Sequence, residues 1–401
     1  MRGEWSFHTG SEVTFGRGAV RRLGYAVRDL GAERVLLITD LGLVAAGAHE
    51  GVERSLREAG VAFDRYEGGR AKPTVDDVAA CVDMAQGTGY EALVALGGGS
   101  NIDLTKAVAT LLSYPGKAED YFGVHLVPGP VMPLVAVSTT AGTGSEVSAA
   151  SVLADPANGR RGSIMSNYLR PKVAIYDPLL TASCPPQVTA DAGIDALAHA
   201  VEAYMVVDYR TEAGPTDRPG VYIGRFPLAD ILVERAIGLI GRFLRRAVYH
   251  GGDLEAREAM HEASLLAGMA FSNAGLTAVH ALEYPVGVAT GCTHGAGNGL
   301  LLPHVMEYNI PAIPERLAKV ARLLGEDIDG LPARIAAEEA VVAVMQLNEE
   351  IGVPTNLQDL GIEESGVRPL AETAAGLTRL TDMNPRPLDA DALEGILRRA
   401  W

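Results

Sequence analysis

The chain has 401 residues, 48% of them hydrophobic and 21% charged, which is enough for two domains with a core each. Its 34 Lys and Arg against 50 Asp and Glu leave a formal net charge of -16, the wrong sign for a nucleic-acid groove or an anionic membrane. A small-molecule partner is expected, and a homo-oligomer is allowed.

The opening Met1-Arg2-Gly3-Glu4-Trp5-Ser6-Phe7-His8 lacks the apolar core of a signal peptide, and no apolar run approaches the roughly 20 residues of a membrane helix. Cys81, Cys184 and Cys292 are odd in number, far apart and form no Cys-x-x-Cys pair, so free thiols in a cytoplasmic protein are expected. Val20, Leu23, Val27 and Leu30 then repeat at helical spacing, and residues 35–39 form a short apolar run ending before Asp40. A second helix begins near Leu41, and Val61-Ala62-Phe63 reads as a strand. Pro73-Thr74-Val75-Asp76-Asp77 opens a helix with proline and acids in its first turn. Residues 92–96, 133–137 and 173–176 are further apolar strands. Strands alternating with helices imply a largely parallel sheet covered on both faces. Beyond Asp177-Pro178 and Cys184-Pro185-Pro186 the periodicity turns helical almost throughout. The predicted division is an α/β domain over residues 1–186 and an all-α domain over residues 187–401. Within the latter, residues 208–227 are rich in Gly, Pro, Arg and Thr and read as an ordered loop or lid.

Gly97-Gly98-Gly99-Ser100 follows the strand at 92–96 directly and leads into a helix running through Leu111. Glycines let backbone approach a ligand, and a helix start aims free N–H groups at an anion such as a pyrophosphate. The spacing is not Gly-x-Gly-x-x-Gly, and a tight structural turn reads equally well. Residues 138–146, dense in hydroxyls and glycines, form a second such segment after the strand at 133–137, able to meet phosphate, ribose or nicotinamide. Asp40, at a strand end, either caps the next helix or bonds an adenosine ribose and repels a 2'-phosphate. In the second half, Asp195 and His199 stand at i and i+4 and project from one helix face. With His280 and His294 they make one carboxylate and three imidazoles, a set that could hold a divalent ion and leave a position for a substrate oxygen. Any one of the four alone is more readily an ordinary helix residue.

Four segments occur in an order that resembles the iron-containing (group III) alcohol dehydrogenases over essentially the whole chain. They are Gly97-Gly98-Gly99-Ser100 with Asp103 and Lys106; residues 139–146; Asp195 through His199 to Tyr204; and residues 271–304, with His280 and His294. The resemblance implies a dinucleotide-binding α/β domain and an all-α metal-binding domain with the active site in the cleft between them. Asp195, His199, His280 and His294 would be the metal ligands, with Fe2+ first and Zn2+ second. The cofactor NAD(H) would meet Asp40, Gly97, Gly98, Gly99, Ser100, Asp103, Thr139, Thr140 and Thr143, and Asp40 would favour NAD over NADP.

Two positions depart from the family pattern. Tyr284 stands where many members have a further histidine four residues after the third ligand, which makes it a candidate for the proton relay. Arg161 stands where a lysine near the cofactor is usual. Residues 218–230 and the Tyr284-Pro285 pair also resemble the hydroxyacid-oxoacid transhydrogenase branch, in which Arg218 or Arg225 would take a substrate carboxylate. The expected activity is hydride transfer between a small alcohol and NAD, with transhydrogenation on retained NAD as the alternative. A dehydroquinate synthase-like lyase would need a Lys and Arg cluster near the ligand segments, and none is present. His261 and His304 read as structural.

Overall fold

The structure is a computed structural model that describes residues 3–10, 12–211 and 220–401. It falls into two compact units, His8–Cys184 and Pro185–Trp401, the segment up to Phe7 joining the second. That segment is held by aromatic contacts, Trp5 stacking on Phe226 at 4.7 Å between ring centres. The division falls between Cys184 and Pro185, two residues before the sequence reading's boundary, because Pro186 already sits in the first turn of a helix.

The first unit contains β1 (Glu12–Phe15), α1 (Leu23–Asp29), β2 (Arg34–Ile38), α2 (Leu41–Ala45), α3 (His49–Glu58), β3 (Ala62–Tyr66) and α4 (Val75–Ala85). It continues with β4 (Ala92–Gly97), α5 (Gly99–Ser113), β5 (Gly123–Val124), β6 (Leu134–Ser138), β7 (Ala150–Asp155), β8 (Arg160–Met165) and β9 (Val173–Tyr176). Six strands form a parallel sheet in the order β1-β9-β6-β4-β2-β3. Alternate side chains feed opposite faces: Val35 and Leu37 enter one core with Val94, Val135 and Ile175, while Leu36 and Ile38 enter the other with Leu93, Ile102 and Leu104. Strand order reverses between β2 and β4, and ligands of open α/β sheets bind outside the carboxyl ends of strands at such a reversal. Asp40 lies two residues beyond the end of one of those strands, and Gly97 ends the other.

Some elements were hidden in the sequence for physical reasons. β3 starts one residue later than expected and carries Asp64 and Arg65, because it is a half-exposed edge. Pro73 precedes its helix rather than entering it; Thr74 is the cap, in a reciprocal box with Asp77. β5, β8 and β7 form a separate small sheet that no apolar alternation announces.

The second unit contains α6 (Pro186–Met205), α7 (Pro227–Tyr249), α8 (Leu254–Ala274), α9 (Ala278–Thr290) and α10 (His294–Asn309). The remainder is α11 (Pro314–Leu324), α12 (Ala333–Ile351), α13 (Glu364–Ala375), α14 (Thr378–Thr381) and α15 (Ala390–Ala400). α6 is buried along most of its length and packs against α7, α8 and α10. No single helix among the described residues is long and apolar enough to cross a membrane.

Candidate active site

The centre of the second unit is built on a close helix crossing. A Cβ on Gly295 would lie 1.9 Å from the Asp191 carbonyl oxygen, so only glycine lets α10 approach α6 there. Thr293 caps α10 and donates its hydroxyl to Asp191 at 2.7 Å, which fixes His294 beside α6. His280 lies in the first turn of α9, and the α9 start is tied to α6 by Glu202. One Glu202 oxygen accepts from the backbone N–H groups of Thr277 and Val279, each at 2.9 Å, and the other meets His280 Nδ1.

Asp195, His199, His280 and His294 each bring one ligand atom to a common point, all within 4.8 Å of one another. Three of them are buried, and only His294 is partly exposed. Glu202 contacts His280 Nδ1 and Glu283 lies 2.5 Å from His294 Nδ1, so both imidazoles turn their Nε2 atoms inward. Phe271 stacks on His199 at 4.3 Å and closes that side with an apolar face. The Asn298 amide nitrogen lies 2.8 Å from Asp195 Oδ1 and 3.2 Å from Nε2 of both His280 and His294. Three acceptors thus converge on one electropositive group, which is the environment a cation requires. Burial raises the Asp195 pKa, but His199, His294, His280 and Asn298 outweigh it and hold the carboxyl below its ordinary value. One oxygen and three nitrogens, backed by carboxylates, fit a divalent ion such as Fe2+ or Zn2+.

In the first unit the two glycine-rich segments meet face to face. Thr139 N–H donates to the Gly97 carbonyl at 3.1 Å, continuing the strand pairing beyond β4 and β6. A Cβ on Gly98 would come within 2.9 Å of Thr140 Oγ1, and one on Gly99 within 2.8 Å of Thr143. No side chain caps α5, so its first N–H groups stay available, and the buried Thr140 hydroxyl has no hydrogen-bond partner among the described residues. Asp40 caps α2 through Leu43 N–H at 2.9 Å and accepts from Asn101 at 2.7 Å, so both readings of this residue stay compatible with its remaining lone pairs.

Other expected cofactor residues hold partners within the chain. Ser100 donates to the Ala71 carbonyl, and Asp103 accepts from Ser145 Oγ at 2.5 Å and Val152 N–H at 2.9 Å. Lys106 is fully buried and donates to Ser145, Ser148 and Ala150; burial pushes its pKa down to about 8 against the pull of Asp103 and Glu146. Arg161 stands on β8 opposite Ala154. Tyr284 is beside the metal ligands, its ring centre 6.2 Å from that of His294. Arg225, expected to meet substrate, is engaged by Asp208 and Asp230 at 3.2 Å each, because its loop folds back on acids of its own neighbourhood. Arg218 lies outside the described residues.

Sequence reasoning missed Glu202, Glu283 and Asn298. Their signal was helical spacing: Glu202 follows His199 by three residues, Glu283 follows His280 by three, and Asn298 follows His294 by four.

A glycine-opened helix start able to take a pyrophosphate and a four-ligand cluster able to take a divalent ion are the two parts that metal-assisted hydride transfer at an alcohol carbon uses. That is the class of enzyme these two regions describe. Residues 10–178 match the iron-containing alcohol dehydrogenase family, and residues 221–401 match the C-terminal domain of the same family. The NAD-dependent methanol dehydrogenase of Bacillus methanolicus is 36% identical over 385 residues, covering 96% of this chain and 97% of that one. The 1,3-propanediol dehydrogenase of Klebsiella pneumoniae is 38% identical over 393 residues, covering 96% of each. A crystal structure of 1,3-propanediol oxidoreductase superposes with a TM-score of 0.93 at 37% identity, covering 99% of this chain and all of that one. The chain belongs to the iron-containing alcohol dehydrogenase family, and so is an oxidoreductase that uses NAD(H) and a divalent metal.

Proposed function

We propose that the chain interconverts small alcohols and their aldehydes with NAD(H) at an ion held by Asp195, His199, His280 and His294. The observation that carries this reading is the convergence of those four side chains with carboxylates behind two of the imidazoles. When bound, the divalent ion supplies Lewis acidity, favouring loss of the alcohol proton in one direction and carbonyl polarisation in the other. Glu202 and Glu283 hold the rings of His280 and His294 and keep them basic. Phe271 keeps water from His199. Tyr284, whose ring lies beside that of His294, would pass the hydroxyl proton toward solvent through its Oη.

In the first unit, the amides opening α5 would hold the pyrophosphate, Thr140 and Thr143 would line the cofactor, and Asp40 would bond the ribose hydroxyls. Membership of the iron-containing family puts Fe2+ first, and the nitrogen and oxygen donors accept Zn2+ as well. The thiols of Cys81, Cys184 and Cys292, none of them in a disulfide, and the charge of -16 support a cytoplasmic enzyme without nucleic-acid partners.

The test is metal analysis of anaerobically purified protein, together with nicotinamide absorbance on adding NAD and a panel of short alcohols. A metal-free protein that oxidises none of them after loading with Fe2+ or Zn2+ contradicts the reading. Hydride exchange between a hydroxyacid and an oxoacid without added NAD would move it to the transhydrogenase branch.

A further inference from the structure

The side of the cation site that solvent reaches is lined by groups not yet given a substrate role. Asp195, His199 and His280 are buried, whereas the His294 side chain is 34% exposed, so a substrate arrives past His294. Tyr284 flanks that approach. Beside it stands Arg379, on α14, which packs against α9. Its Nη2 donates to Tyr284 Oη at 3.5 Å, and its guanidinium carbon lies 5.8 Å from the centre of the same ring. Tyr222 brings a second phenol to this guanidinium. The backbone holds Tyr222 there: Ile223 and Gly224 donate to the carbonyls of Asn273 and Ala274 at 2.9 and 3.0 Å, and Tyr222 packs on Gly275, where a Cβ would come within 3.2 Å.

We propose that Arg379, framed by Tyr222 and Tyr284, binds an anionic group at the far end of the substrate, so that short alcohols and aldehydes bearing a terminal carboxylate or sulfonate are preferred. This rests on the alcohol dehydrogenase reading above. A guanidinium is a planar fork of donors that matches an oxyanion, and an aromatic face orients it while leaving N–H groups at its edge. Partial burial weakens solvent screening of the contact. The Tyr222 phenol can donate to the same oxyanion. A local cation is also what an anionic substrate needs to approach a chain of net charge -16. Arg225 cannot serve in the same way, being engaged by two carboxylates.

The experiment compares NAD-linked oxidation of 4-hydroxybutyrate, 3-hydroxypropane-1-sulfonate and 1-butanol by the metal-loaded enzyme and by Arg379→Met. The unmutated enzyme should show a lower KM for the anionic alcohols, and the two anions tell carboxylate from sulfonate preference. Arg379→Met should raise their KM by about 10- to 100-fold, as for a lost charge-assisted hydrogen bond, and that of 1-butanol far less. A second readout needs neither turnover nor a variant: butyrate should raise the Tm of the unmutated protein more than butyramide. Equal KM for charged and uncharged alcohols, a common rise for both in the variant, or equal Tm shifts overturns the proposal. Failure to oxidise any of the three would instead strike the dehydrogenase reading, while the butyrate and butyramide pair still decides for the anion subsite.

Discussion

The two candidate sites are built on opposite plans. In the helical unit, polar side chains from α6, α9 and α10 point at one centre, and Glu202 and Glu283 hold them from behind. In the α/β unit, the charged side chains of the glycine-rich segments face the interior: Asp103 ties Ser145 to Val152, Lys106 gathers Ser145, Ser148 and Ala150, and Glu146 bonds Ser138 and Tyr176. What the two turns present to each other is backbone and threonine side chains. A small cation needs formal charge in fixed geometry, whereas a dinucleotide carries its own charge and needs exposed N–H groups and room. Substitutions in the two regions should therefore fail in different ways.

The largest effect is expected at a ligand. His280→Ala should lose most bound metal and lower kcat/KM by at least about 1,000-fold, since several kcal/mol of transition-state stabilisation depends on the ion. NAD binding, followed by quenching of protein fluorescence, should survive, because the cofactor region uses none of these side chains. Full metal content and turnover in this variant would remove His280 from the ligand set. Glu202→Gln sharpens the contrast by leaving every ligand in place: metal affinity, read by titration against a chelator, should fall about 10- to 100-fold. An unchanged affinity would reduce Glu202 to a helix cap.

On the cofactor side, Gly99→Ala should act by bulk alone. Its methyl would press on Thr143, costing about 1 to 3 kcal/mol in stability or in NAD binding, with metal content untouched. Metal loss in this variant would show that the two regions are not separable in this way.

The last effect is confined to stability and concerns pH. Burial, helped by Arg399, lowers the His304 pKa to about 4 from 6.5. Between those values the unfolded chain binds a proton that the folded one refuses, so His304 should cost stability as pH falls through that window, by up to about 3 kcal/mol in all. Chemical denaturation of His304→Leu at pH 7 and pH 4.5 should show a shallower loss than the unmutated protein; parallel losses would rule His304 out as the source.

The sheet strands with unbroken apolar runs, β2, β4, β6 and β9, were legible because both their faces are covered. β1, β3 and the small sheet were obscured by partial exposure, which lets residues such as Asp64, Arg160 and Arg161 stand in strands. Asp195 and His199 were legible as a pair through helical spacing, but joining them to His280 and His294 took family resemblance, since no local rule links helices about 80 residues apart. Glu202, Glu283 and Asn298 were within reach of the spacing rule and were passed over because acids and amides on helices are so common. Arg225 misled because a basic loop reveals its charge and not its partner. Arg379 escaped notice because a lone arginine on a four-residue helix carries no pattern at all.

Glu202 accepts the N–H groups of Thr277 and Val279 with one oxygen and meets His280 with the other. Metal occupancy and the integrity of the α9 start therefore share a single carboxylate. Loading the ion should slow deuterium uptake at the amides of Thr277 and Val279, although neither residue is a ligand. A chelator should then loosen one helix end before any global melting, and exchange mass spectrometry of the peptide spanning residues 275–282 would report how much of a preparation is loaded.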